Sequence, residues 1–388
     1  MTTQLGVRLA VAEDEHAEAL ATFYRAVWDP AATADGVLRS RHAAAASNSV
    51  NPGLAPPAFV ALQGARVIGH LGSIPARFWN GSEELPGYWL KGFMVLPEYQ
   101  GGPIGYAVLR EAARHLPRSA ALTVAPAARR LFGALGFKDL GAVPNFVRVL
   151  RGGRMAARID LAALGIERGP VLLRRILPFA QRAGFAWLGG GILGAALRGR
   201  AAIGRISATG FGPVAAGFPD GGELDGLWTD HRESLRAGAV RDGRELAFRY
   251  GASAGEDARR YHVASIRRKG RLAGVAVVRE PRREGDPRLK GIALASLSDL
   301  WFDPRDPKAG LVTLGAAEAT ARRLGADALL CSTGHAHLRA LLGRQGYLET
   351  SGNMHLLLRD VTETAAAWPL ALDQWWVSRG DARSDDVF

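Results

Sequence analysis

A chain of 388 residues, 48% of them hydrophobic and 22% charged, can bury a sizeable core, which excludes wholesale disorder and suits two domains or one large one. Its single cysteine excludes an internal disulfide framework and a cysteine-rich zinc site. The net charge of +12 is uneven: residues 1–150 carry +3, residues 151–220 carry +7 and residues 221–388 carry +2. A basic middle segment can steer an anionic partner such as an acidic protein or an anionic membrane surface, or can simply keep a connector solvated. The first twenty residues lack a basic stretch followed by an apolar run, and no uncharged apolar run reaches 18 residues. The expected location is the cytoplasm, with the basic segment able to sit against the inner face of the membrane.

The first 150 residues alternate between strand and helix patterns. A short strand is predicted at 7–11, followed by a helix carrying Leu20, Phe23, Tyr24 and Val27 at helical spacing. Strands at 58–62 and 67–71 are joined by the turn Gln63-Gly64-Ala65-Arg66. Residues 73–79 can continue the second strand, with Pro75 implying a bulge or an edge. Asn80-Gly81 signals a turn before a strand at 88–96. A glycine-rich loop then opens a helix at about 105–115. A short strand at 122–124, a helix at 127–135 closed by Gly136, and a strand at 146–150 complete the unit.

The plan recurs near the C-terminus, and ordered internal repeats define architecture. Gly64-Ala65-Arg66-Val67-Ile68-Gly69 returns as Lys269-Gly270-Arg271-Leu272-Ala273-Gly274. Leu131-Phe132-Gly133-Ala134-Leu135-Gly136-Phe137 returns as Leu341-Leu342-Gly343-Arg344-Gln345-Gly346-Tyr347. Between them, a strand at 297–302 and a helix near 311–324 match the strand at 88–96 and its helix. The fold expected is mixed α/β: two copies of one unit, each a mostly antiparallel sheet with helices on both faces, related by a pseudo-twofold. The expected division is residues 1–150, a basic Gly-rich connector at 151–220, a second unit at 221–360 and a tail at 361–388. Within the connector, residues 183–197 are uncharged, and Gly189-Gly190-Gly191-Ile192-Leu193-Gly194 satisfies a dinucleotide spacing. The acid that such a fingerprint needs about 20 residues later is missing, so a packed or flexible connector is the expectation.

The strongest chemical signal is Pro97-Glu98-Tyr99-Gln100-Gly101-Gly102-Pro103-Ile104-Gly105-Tyr106, where a strand ends, a loop turns and a helix begins. Free amides at a helix N-terminus, backed by the helix dipole, favour a phosphate, and glycines let backbone approach it. With the rest of the unit this resembles the GNAT acyltransferase family, well over residues 6–150 and more loosely over 221–360. Gln100 to Gly105 resembles the family's motif A, and Leu131 to Phe137 its motif B with the ending Leu135-Gly136-Phe137. The tandem layout, residues 241–250 and residues 376–381 resemble two-copy members associated with bacterial surface polysaccharides. The resemblance implies an acyl-CoA or acetyl-CoA donor and an amine acceptor, with no metal and no DNA. It places pantetheine on Phe93, Met94 and Val95, and pyrophosphate on Gln100, Gly101, Gly102, Ile104, Gly105 and Tyr106. Two departures stand out. Pro103 replaces a loop glycine and removes an amide donor. Phe132 stands where many members carry a tyrosine that protonates the leaving thiolate. The second copy reads Asp303-Pro304-Arg305-Asp306-Pro307, whose acids and prolines oppose an anion cradle, so the second unit is expected to be degenerate.

An amine must be neutral to attack a thioester, so a general base is needed. His70, Glu98 and Asp299 are the candidates by position; each also has an ordinary reading as a strand histidine, a surface acid and a strand-end acid. Cys331, His335 and His337 cluster in sequence, but no third or fourth metal ligand is evident. The function expected is N-acylation of an amino sugar, small molecule or peptide amine. The alternatives are a non-catalytic GNAT-like binding or scaffold protein and an aminoacyl-tRNA-dependent transferase.

Overall fold

The computed structural model describes residues 6–158, 209–251, 258–282 and 291–386. The uncharged run at 183–197, the Gly189–Gly194 pattern and most of the basic connector lie outside the described residues.

The first unit runs β1 (Val7–Val11), α1 (Ala17–Val27), α2 (Ala34–Ala46), β2 (Phe59–Gln63), β3 (Arg66–Trp79), β4 (Glu84–Val95), α3 (Ile104–His115), β5 (Arg118–Ala121), α4 (Pro126–Ala134) and β6 (Lys138–Val149). After α5 (Gly152–Arg158) and the short β7 (Ala215–Ala216) come α6 (Gly221–His231), β8 (Ala237–Ala239) and α7 (Gly243–Tyr250). The second unit has β9 (Tyr261–Arg268), β10 (Arg271–Arg282), β11 (Leu294–Phe302), α8 (Pro307–Arg323), β12 (Ala328–Ser332), α9 (Ala336–Arg344) and β13 (Leu348–Asp360). A tail carrying β14 (Trp375–Trp376) follows.

Helix α2 and strand β5 differ from the sequence expectation, each for a local reason. Helix α2 is weakly patterned and buries only Val37; its start is fixed by Thr33, whose Oγ1 accepts the Gly36 N–H at 3.1 Å. Strand β5 covers Arg118–Ala121 instead of 122–124. Arg118 can enter a strand because Asp360, Pro86 and Thr362 accept its guanidinium protons. Pro75 sits at a local edge, as one of its two expected readings has it. It faces Tyr88 on one side, and on the other it falls between the ends of the β2 and β8 pairings at Leu71 and Phe78, so its missing N–H interrupts no ladder.

All described strands join one 14-stranded sheet, ordered β1-β2-β3-β4-β5-β13-β6-β12-β11-β10-β9-β7, with β8 and β14 attached through β3. Pairing is antiparallel except at β4–β5, β11–β12 and β8–β14. The centre of the sheet holds a reciprocal exchange. β13 of the second unit lies against β5 of the first, and β6 of the first lies against β12 of the second. β6 and β13 then pair with each other, antiparallel, on the pseudo-twofold. Each unit therefore closes its partner's sheet. The exchange buries Arg148 of β6 with Glu318 of α8, 3.2 Å apart and both fully enclosed.

Alternation along β3 assigns the faces. Gly69 looks at Ile104 and Val108 of α3, whereas His70 meets Phe23 and Tyr24 of α1. Helices thus cover both faces. In the second unit Gly274 looks at Thr313 of α8 in the same way. Gly105 and Gly310 also correspond: a Cβ at Gly105 would meet Phe93, Val95 and Leu131, and one at Gly310 would meet Phe302 and Leu341.

Asp360 closes the exchanged strand onto β5. Burial would raise its carboxyl pKa, but hydrogen bonds from Thr362, Trp368 and Arg118 outweigh burial and bring it down to about 2. A carboxyl pKa lower in the folded than in the unfolded state stabilises the fold above the unfolded value, and that stabilisation is lost as pH falls. Denaturant titrations between pH 5 and pH 2 should therefore show falling stability, and Asp360→Asn should flatten part of that slope while lowering stability at pH 7.

Candidate functional site

β4 and β5 touch only at Tyr88–Ser119 and Trp89–Ala120. Beyond Trp89 the two strands part, and β4 continues with β3 on one side alone. A bulge sits in this free stretch: His70 pairs with Met94 and Gly72 with Lys91, so Gly92 and Phe93 oppose a single residue, Leu71. Gly92 has φ +66°, which favours glycine. Phe93, Met94 and Val95, all half-buried, line the open edge.

The loop from β4 to α3 folds back on this edge. The Gln100 side-chain amide donates to the Val95 carbonyl at 3.1 Å. Gly101 turns the chain at φ +78°. Gln100, Gly101, Gly102 and Pro103 are exposed, and Pro103 occupies the cap position of α3 with no side chain capping the helix. The first-turn amides of Ile104, Gly105 and Tyr106 therefore remain available to an anion. Ile104 and Gly105 are buried, and Tyr106 is half-buried under the guanidinium of Arg110. Gly105 serves close packing: an added Cβ would lie 3.3 Å from the Phe93 ring. Phe132 of α4 is buried edge-on against Phe93, with ring centres 5.8 Å apart, so α3, α4 and the bulge form one packed wall.

The candidate proton-transfer residues do not converge. His70 is buried behind the bulge. Its Nδ1 lies 2.9 Å from the Gly92 carbonyl and its Nε2 lies 3.2 Å from the Tyr24 hydroxyl. Burial, only partly offset by the Gly92 bond, pushes its pKa down to about 4. Glu98 is exposed and paired with Arg66 at 2.7 Å. Asp299 lies in the second unit, in a buried network. Its carboxylate accepts from Arg241 at 2.8 Å, Arg249 at 3.0 Å and Tyr250 at 3.0 Å, while Asp381 bridges the same two arginines. Burial would raise the Asp299 pKa, but the arginines outweigh it and hold the group below the usual carboxylate range.

Tyr24 was legible in the sequence only as part of an apolar helix stripe, and Trp28 was not singled out at all. In the fold they stack at 4.8 Å, and Trp28, 45% exposed, lies edge-on to His70. Beside them an open hollow of about 470 Å³ is lined by Glu15, Glu18, Thr22, Phe23, Arg66 and Leu96. Residues from the tail also reach the parted strands: Lys91 donates to the Arg383 carbonyl, and Thr123 bonds Ser384.

The equivalent place in the second unit is filled. Asp306 caps α8 and accepts the amides of Lys308 and Ala309, so the chain's own carboxylate sits where an anion would. The edge of β11 beyond its pairing with β12 is occupied by the tail: Gly380 N–H donates to the Ser298 carbonyl and the Trp376 indole to that of Leu300. Cys331 is buried and its thiol pushed up to about 12 by burial; the His335 ring packs against Trp376. Among the described residues no group of three His, Cys, Asp or Glu side chains is placed to hold a metal ion.

Two units of one mixed α/β plan, each with parallel strands that part beside a helix N-terminus, make up the single mixed sheet. The acetyltransferase (GNAT) family model matches residues 18–137, within the first unit. Among solved structures, the chain is similar to a GCN5-related N-acetyltransferase from Anabaena variabilis at 13% identity, covering 92% of this chain and 73% of that one with a TM-score of 0.54. It is similar to a GCN5-related N-acetyltransferase from Kribbella flavida at 14% identity, covering 92% and 71%, with a TM-score of 0.52. It is also similar to the Saccharomyces cerevisiae N-myristoyltransferase with bound myristoyl-CoA at 12% identity, covering 93% and 80%, with a TM-score of 0.55. No curated protein matches the sequence. Among the described residues no helix is long and apolar enough to cross a membrane.

Proposed function

We propose that the protein is an acyl-CoA-dependent N-acyltransferase whose single working site lies in the first unit. The carrying observation is the combination, in one place, of the parted β4–β5 edge and the uncapped start of α3. Residues 1–150 supply the acyl-CoA site, residues 221–360 a degenerate second unit, and residues 361–388 a tail, of which Trp376, Gly380, Arg383 and Ser384 bond to both units. The pantetheine arm lies along Phe93, Met94 and Val95. The pyrophosphate rests on the loop Gln100, Gly101, Gly102 and the amides of Ile104, Gly105 and Tyr106, where the helix dipole favours negative charge. The donor is acetyl-CoA or a longer acyl-CoA, and the myristoyl-CoA bound in the structurally similar yeast enzyme supports a thioester donor in general terms. The acceptor amine enters from the α1 side, past Trp28. At His70 a pKa near 4 makes the imidazole a poor base at neutral pH, and Glu98 and Asp299 are committed to arginines. Proton removal therefore falls to water in the open edge.

Phe132 favours a second reading. A buried phenylalanine has no proton to give the departing thiolate, so a unit that binds acyl-CoA without turnover also suits the residues present. Calorimetry with acetyl-, butyryl- and myristoyl-CoA, followed by thiol release with a panel of primary amines, separates these. Binding with amine-dependent thiol release is the result expected. Binding without release at any amine would favour the second reading, and absence of binding would reject both.

A further inference from the structure

We propose that His70 is a positioning residue for acyl transfer: it grips the Gly92 carbonyl and thereby aims the Phe93 amide at the thioester oxygen. The inference rests on the reading of the first unit as an acyl-CoA site. Its basis is the bulge. Gly92 and Phe93 share the single opposite residue Leu71 on β3, so neither has a one-to-one partner there, and β5 has already parted. An unpaired peptide at φ +66° would be free to rotate unless something held it. His70 holds it, 2.9 Å from the carbonyl oxygen, from a ring that is 5% exposed. A carbonyl accepts, so Nδ1 carries the proton, and the bare Nε2 then accepts the Tyr24 hydroxyl. Phe23, Tyr24 and Trp28 pack round the imidazole and leave it one orientation.

A trans peptide is planar, and its C=O and N–H point opposite ways. Every described peptide is trans. With the Gly92 carbonyl turned to the His70 ring on the α1 face, the Phe93 N–H points to the opposite side of β4, where β5 has left the strand open. That is where charge develops. The amine nitrogen attacks the thioester carbonyl carbon, and the π pair moves onto oxygen. Collapse of this oxyanion breaks the C–S bond and expels thiolate. The amine's surplus proton passes through water to the sulfur, giving an amide and free CoA thiol. A fixed N–H donor stabilises the oxyanion more than the ground-state carbonyl, and its effect appears in kcat. The second unit lacks the device: by the pairing register Val275 stands for His70, and Leu300 alone faces Ala276 where Gly92 and Phe93 together face Leu71.

The test compares two substitutions. In His70→Asn the side-chain amide nitrogen stands close to the Nδ1 position and can still donate to Gly92; in His70→Leu nothing can. His70→Leu should lower kcat by about a hundredfold with KM for acetyl-CoA little changed, as expected for loss of a transition-state donor. His70→Asn should recover most of the rate. The pH–rate profile of His70→Asn from pH 6 to 9 should superpose on that of the wild type, because a positioning group transfers no proton. Equal loss in both variants, an unchanged kcat in His70→Leu, or a missing basic limb in His70→Asn would each overturn the proposal. If His70→Leu does not fold, nitrogen NMR of the ligand-free wild type still decides: a neutral ring protonated on Nδ1 at pH 7 supports the grip, and an Nε2-protonated ring overturns it. The calorimetry and thiol release described above report separately on the wild type. Wild-type turnover with an insensitive His70 would sink the positioning role alone, whereas absence of acyl-CoA binding would sink the functional reading and this role with it.

Discussion

Asp299→Ala is expected to lower the free energy of unfolding by about 3–5 kcal/mol, the usual cost of removing one partner from a buried ion pair. The reason lies in what is left behind. Arg241 is fully enclosed and Arg249 nearly so, and Asp299 and Asp381 neutralise the two between them. With Asp299 gone, Arg241 and Arg249 share the bonds of one carboxylate, Asp381, in place of two, and the Tyr250 hydroxyl keeps only the Ser298 carbonyl at 3.5 Å. Denaturant unfolding measures the loss. The same variant separates two roles. A structural Asp299 lowers stability and leaves the kcat of the remaining folded protein intact, whereas a general base would lower kcat with stability retained. The network ties α7 and β11 to the tail, so its loss should also loosen residues 376–381, which hydrogen exchange would register as faster exchange at Gly380 and Ser378.

The second large effect is expected at the loop. Gly102→Glu should weaken acyl-CoA binding at least tenfold and leave the melting temperature nearly unchanged. Gly102 is exposed, and an added Cβ meets only the Tyr99 carbonyl at 3.3 Å, so the substitution costs the fold little. The carboxylate it introduces stands one residue from Pro103 and the uncapped amides. Like charges several ångströms apart near a surface repel by about 2–3 kcal/mol, and each 1.4 kcal/mol is about a factor of ten. The neutral Gly102→Gln separates bulk from charge, and raising salt should recover part of the loss in the glutamate variant alone. Equal, tenfold weakening in both variants would point to shape instead of charge. Gly105 is unsuitable for this test, because its Cβ would point into Phe93, Val95 and Leu131 and bury the new group. The converse experiment uses the second unit. Asp306→Ala removes the cap of α8 and should cost about 1 kcal/mol of stability. It should create no acyl-CoA binding there, since Trp376 and Gly380 still occupy the β11 edge.

Local order was largely legible in the residues. The spacing of Leu20, Phe23, Tyr24 and Val27 predicts α1, the turn at Gln63–Arg66 predicts the β2–β3 hairpin, and Gly136 closes α4 at φ +86°. The repeats at 64–69 and 269–274, and at 131–137 and 341–347, announced two copies of one unit, and the mixed sheet follows from them. These signals are local: periodicity, turn chemistry and caps act within a few residues. The exchange of β6 and β13 was not legible, because either strand satisfies either unit's open edge by pattern alone; what selects the partner is the pairing at Asp360–Arg118 and Arg148–Glu318, across 242 residues in the first case. The surroundings of the candidate residues were equally hidden. Sequence can place His70 on a strand next to β4, but burial, the bulge at Gly92 and the ring of Phe23, Tyr24 and Trp28 exist only when α1 folds onto that face. Asp299 shows the same limit: its partners Arg241, Arg249 and Asp381 come from three separate segments, and only the tertiary structure brings them to one carboxylate.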